Sequence, residues 1–153
     1  MMSLKSIWRF LMSFSFALLL LIGVGVITVG ETLAGDMAIK GYDTVAYFKD
    51  SKALEGVEPF TFQWHNMTWY FQSKENRELF AAGPEKYAPQ YDGYCAWAMT
   101  ESRKAIPDPE VWKIVDGKLY LNCSATAYEK WSKDIPGNIK KADEIWLKIQ
   151  RGN

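Results

Sequence analysis

Apolar and polar residues alternate with two different periods along most of this chain, and an unbroken apolar run occupies its beginning. Phe10 to Val29 carries no charge, is mostly Leu, Ile, Val, Phe and Gly, and follows Lys5 and Arg9. A basic start, an apolar stretch and the small residues Thr32 and Ala34 predict an export signal cut after Ala34. The same stretch is nearly long enough to cross about 30 Å of hydrocarbon as a retained helix, with Lys5 and Arg9 on the cytoplasmic side. Residues 1–34 are therefore assigned to a signal peptide or an N-terminal membrane anchor, and residues 36–153 to one exported domain.

Within that domain the period changes from segment to segment. The run Thr44-Val-Ala-Tyr-Phe48 after Asp43 predicts a short strand or turn, and Lys49 to Pro59 reads as a polar surface loop. Phe60, Phe62 and Trp64 alternate with polar neighbours and Thr68 to Phe71 resumes the pattern, so a β-hairpin with His65 and Asn66 near its tip is expected. Ser73 has the chemistry of an N-cap for a short helix that Gly83 and Pro84 stop. Pro84 to Tyr87 forms a turn ended by Pro89. Tyr91 to Met99 is apolar and rich in small residues, and its periodicity does not separate strand from helix. Asp116-Gly117 between Val111–Val115 and Lys118–Leu121 predicts a second hairpin, because a type I′ turn needs positive φ at both central residues. Ser124 caps a helix carrying Tyr128 and Trp131, Pro136-Gly137 breaks it, and Ile139, Ile145, Trp146 and Ile149 mark a last amphipathic helix. Two hairpins with several short helices make an α+β domain. No internal repeat is evident.

Composition narrows the function classes. Of 153 residues 48% are hydrophobic, enough for a packed core, while 18 basic and 18 acidic residues cancel without a run of one sign. Nucleic-acid binding is disfavoured, and membrane contact is expected only through the N-terminal segment. Asp43, Asp92, Asp108, Glu110, Asp134 and Asp143 are scattered without general acid–base spacing, and neither a phosphate loop nor a paired-cysteine redox motif is present. A binding or accessory role is expected over a catalytic one. The tryptophans read as core rather than as the lining of a ligand pocket.

Trp69-Tyr-Phe-Gln-Ser73, Arg77, Phe80 and Pro84-Glu-Lys-Tyr87 together resemble the YHS domain, and Gly41-Tyr-Asp-Thr-Val-Ala-Tyr-Phe48 with Tyr91-Asp-Gly-Tyr-Cys-Ala96 is similar to the exported bacterial branch of YHS domain-containing (seleno)proteins. The resemblance implies a periplasmic or other extracytoplasmic location. Metal-handling relatives of the domain carry cysteines where this chain has Ala46, Gln72 and Asn76, so their thiolate site is absent here. The closer branch implies a role for Cys95, where some members place selenocysteine.

Three readings of Cys95 follow. As a soft ligand it would hold copper, with His65 and Met99 as further candidates. As a reactive thiol it would cycle through sulfenic acid or a mixed disulfide, resolved by Cys123. As a small buried residue it would only pack a tight turn. Cys95 and Cys123 are also candidates for a disulfide of an exported domain.

Overall fold

The computed structural model describes residues 36–152, and the expected export segment lies outside them. Strand β1 (Asp36–Met37) leads through a tight turn, Ala38–Gly41, into helix α1 (Thr44–Lys49), the hairpin β2 (Val57–Trp64) and β3 (Met67–Phe71), and helices α2 (Lys74–Ala82) and α3 (Pro84–Tyr87). A second tight turn, Gln90–Gly93, leads into α4 (Ala96–Thr100), the hairpin β4 (Asp108–Val115) and β5 (Lys118–Asn122), α5 (Ala125–Ser132) and α6 (Ile135–Gln150). One sheet has the order β1-β3-β2 and the other is the pair β4-β5, so the α+β class and both hairpins are found. Among the described residues no helix is long and apolar enough to cross a membrane.

Two local expectations are corrected and one open segment is assigned. The Thr44–Phe48 run is helix α1 and not a strand, because Asp43 Oδ1 accepts from the Val45 and Ala46 N–H groups (2.8 and 3.2 Å) and caps it, overriding the β-branched propensity of Thr44 and Val45. The undecided Tyr91–Met99 stretch is half turn, half helix. Pro136 and Gly137 do not break a helix. The break falls at Lys133 and Asp134, and Pro136 sits in the first turn of α6, where its missing N–H has no intrahelical partner to lose, while Asp134 Oδ1 accepts from Gly137 N–H (3.0 Å).

The largest correction concerns the repeat. Every element from the first tight turn to α2 recurs in order from the second tight turn to α5, and the irregular features recur with it. Left-handed φ at Ile39, Lys40 and Gly41 is matched at Tyr91, Asp92 and Gly93, and that at Ser51 is matched at Ser102. Both hairpins turn on two positive-φ residues, His65-Asn66 and Asp116-Gly117, and both carry a register shift near the start of the first strand. Asp43 N–H donates to Leu54 O (2.8 Å) as Cys95 N–H does to Ala105 O (3.0 Å). Ser73 and Ser124 each cap the following helix. The repeat is hidden in the sequence because equivalent core positions hold different residues of similar bulk: Trp69 answers to Tyr120 and Phe80 to Trp131, and each pair of rings stacks at similar range (5.0 and 5.5 Å between centroids).

The two halves share one core. Tyr47 of α1 is fully buried against the second hairpin, its ring 5.0 Å from that of Trp112 and its hydroxyl donating to Pro109 O (3.0 Å). Desolvation pushes its phenol far above the usual range. Helix α6 continues beyond the point where Pro89 ends the first half's counterpart, and packs Ile139, Ile145, Trp146 and Ile149 over Tyr91 and Trp131. The tryptophans Trp69 and Trp131 are core residues.

Candidate functional site

The repeat places Asp43 and Cys95 at equivalent points, each just before a short helix and each fully buried. In the first half one carboxylate satisfies four donors. Oδ1 takes the two N–H groups at the start of α1, and Oδ2 takes Gln72 N–H (2.8 Å), just past β3, and Asn76 Nδ2 of α2 (2.7 Å). A buried charge with so many charge-assisted bonds ties α1, β3 and α2 together.

A thiol has one sulfur where a carboxylate has two oxygens, and in the second half those tasks are divided. Cys95 makes no cap on α4, and Asn122 Oδ1 instead accepts from Trp97 N–H (3.1 Å), the counterpart of Val45 N–H. Cys95 Sγ takes the other task, accepting from Cys123 N–H at 3.0 Å as Asp43 Oδ2 does from Gln72 N–H. Cys95 Sγ donates to Asn122 Oδ1 (3.9 Å), and its apolar neighbours are Ala98 and Ala127, with Ala105 and Trp97 at the edge. Burial, then hydrogen bonding to the Cys123 thiol, pushes the Cys95 thiol up to about 11, against the opposing pull of the Ala98 and Cys123 backbone groups. At neutral pH Cys95 is therefore a thiol, not a thiolate.

The two sulfurs, 28 positions apart in the chain, stand 2.7 Å from each other, a small side-chain movement from the bonding distance of about 2.05 Å. They are unequally placed. Cys95 is 0% exposed, whereas Cys123 is only half-buried. Arg103 stands nearby with 60% of its side chain exposed, ion-paired to Glu101 at 2.9 Å. Its charged form is favoured first by that bond and then by the charge of Glu101.

The other candidates lie elsewhere. His65 is stacked on Trp64 (3.7 Å between centroids) at the tip of the first hairpin, where it lines a groove of ≈ 730 Å³ with Met37, Met67, Tyr94 and Ile106. Met99 shares helical spacing with Cys95, but its side chain packs into the cluster of Tyr91, Tyr120 and Trp131, separate from the one that holds both cysteines. No group of three or more His, Cys, Asp or Glu side chains suited to a metal ion occurs among the described residues. Ala46, Gln72 and Asn76 do not form a metal site: Asn76 Nδ2 and the Gln72 backbone N–H donate to the Asp43 carboxylate, the Gln72 side-chain amide donates to Glu55 O, and Ala46 has no donor atom. Asn122 and Arg103 are the site residues that the sequence reading missed. A polar residue following Leu119, Tyr120 and Leu121 in a buried strand was the available signal for Asn122; nothing local marks Arg103.

Comparison with known proteins yields no match: no family model fits the sequence, and no curated protein or solved structure is significantly similar to it.

Proposed function

We propose that this chain is an exported YHS-like accessory protein of the bacterial envelope whose working chemistry is the Cys95–Cys123 pair, a dithiol that closes to a disulfide. The observation that carries this reading is the 2.7 Å approach of the two sulfurs within one packed cluster. An exported domain meets an oxidising compartment, where such a pair persists in the bonded form. The high pKa of Cys95 makes it a slow nucleophile at neutral pH, which favours a stable, slowly exchanging bond over rapid catalytic turnover. The test is an intact mass and a thiol count on the mature protein isolated without reductant. A mass lower by two hydrogens, with no alkylation until reduction, supports the pair; two thiols that remain free in air would overturn it.

A soft-metal reading rests on the same two sulfurs, since facing thiolates are donors that Cu(I) prefers. A copper ion between them needs the sulfurs to part, and His65 and Met99 are held in other surroundings. Protection of both reduced cysteines from alkylation by Cu(I), lost in Cys95→Ser, is the outcome expected of copper binding; labelling at the same rate with and without Cu(I) rejects it.

A further inference from the structure

The two sulfurs differ in what can reach them, and this gives the pair a direction. Thiol–disulfide exchange requires an incoming sulfur to approach one sulfur of the bond and the other to leave. Cys95 is enclosed by Ala98 and Ala127, with Trp97 and Ala105 at the edge, so no external thiolate has a path to it, while Cys123 presents part of its surface. The charge beside them is positive. Arg103 is held beside the pair, its backbone N–H donating to the carbonyl of Ala98 (3.1 Å), which packs with both cysteines, and Lys130 stands over the Trp97 ring at 5.9 Å. The acidic group at this spot is Glu101, which accepts from Arg103 and feels the charges of Lys130 and Lys141 as well.

Resting on the dithiol reading above, we propose that Cys123 is the entry sulfur for exchange, that Cys95 is the sulfur that leaves and resolves, and that Arg103 favours small thiols carrying carboxylates. In reduction a thiolate R–S⁻ attacks Cys123 Sγ, an S–S bond forms between its sulfur and Cys123 Sγ, the Cys95–Cys123 bond breaks, and Cys95 leaves with the electron pair and takes up a proton. A second R–S⁻ attacks the R sulfur of the mixed disulfide, releasing R–S–S–R and the Cys123 thiolate, which is protonated. Oxidation runs the same steps backwards with R–S–S–R as oxidant: Cys123 loses its proton and attacks R–S–S–R, forming the mixed disulfide and releasing one R–S⁻, then Cys95 gives up its proton and attacks Cys123 Sγ, expelling the second R–S⁻. The leaving Cys95 sulfur is met by the Cys123 N–H already aimed at it. This order reverses the roles expected from sequence, in which Cys95 was the attacking group.

The test uses glutathione and oxidised glutathione as probes, with peptide mapping to locate the adduct. In wild type mixed with limiting glutathione, and in Cys95→Ser with oxidised glutathione, the adduct is expected on Cys123. In Cys123→Ser, no adduct should form on Cys95 until denaturant is added. Arg103→Gln is expected to lower the rate with glutathione about two- to fivefold relative to the cationic thiol cysteamine, the size of a solvent-exposed charge interaction. Glutathione found on Cys95 of the folded wild type overturns the order of attack even if the variants misfold, and an unchanged rate ratio in Arg103→Gln removes the charge preference. A wild type that never forms the Cys95–Cys123 bond defeats the dithiol reading itself, a separate result from either of these.

Discussion

The first half of the domain stitches three elements together with one buried carboxylate, whereas the second half does the same work with a thiol, an amide and a second thiol. Asp43 binds only inward, to Val45, Ala46, Gln72 and Asn76. Its counterpart Cys95 leaves one task to Asn122 and faces Cys123 where the first half has the backbone of Gln72. The comparison teaches that one scaffold position is structural when it holds an acid and chemically convertible when it holds a sulfur. The carboxylate faces backbone and amide donors only, and the Cys95 sulfur faces a second sulfur at 2.7 Å.

Breaking the first half's stitch should have the largest effect. Asp43→Ala leaves four donors without their acceptor, two of them within the buried start of α1, and is expected to cost about 3–5 kcal/mol, read as a lower denaturation midpoint in urea. A midpoint within error of wild type would remove Asp43 from its assigned role. In the second half, the proposed Cys95–Cys123 bond would make the stitch conditional on redox state: its reduction should cost about 3 kcal/mol through the released loop, and Cys123→Ala should match the reduced protein. Equal thermal midpoints with and without reductant would deny the bond a structural role.

Alkaline pH sharpens the contrast. Cys95 has its folded pKa raised from 9.0 to about 11, so as pH rises the unfolded chain loses this proton first. The stability contribution is intact below about pH 9 and is lost as pH climbs through about 11, by about 2–3 kcal/mol in the reduced protein. The oxidised protein has no thiol proton to lose here and should lack this component. Denaturation of the two forms at pH 8 and pH 10.5 compares them; parallel curves would contradict the buried thiol. The smallest effect is expected from Asn122→Ala, about 1 kcal/mol. It removes the substitute cap on Trp97 N–H but also removes the Asn122 Nδ2 group, which is buried without a hydrogen-bond partner. A cost far above this, in the same denaturation assay, would mean that Asn122 Nδ2 is satisfied in solution.

Much of the fold was legible because its signals are local. Asp116-Gly117 at the second hairpin, Ser73 and Ser124 as caps, and the alternation of Phe60, Phe62 and Trp64 all act through neighbours a few positions away, and all are found. Thr44–Phe48 has the composition of a strand, and only the cap from Asp43, itself tied to Gln72 and Asn76 far along the chain, makes it helical. Pro136-Gly137 resembles a stop until one sees Asp134 capping the helix they begin. The repeat escaped notice because packing conserves volume and direction more than residue identity, as Phe80 and Trp131 illustrate.

The sequence by itself determined the hairpins, the capped helices and the presence of two cysteines in one domain, since each follows from residue type and short-range geometry. Tertiary structure alone decided that Cys123, not His65 or Met99, meets Cys95, that Cys95 is enclosed while Cys123 is open, and that Arg103 stands beside them. Those relations arise from elements distant in the chain being packed into one core. Nothing in the residues flanking a cysteine encodes which surface another strand will cover.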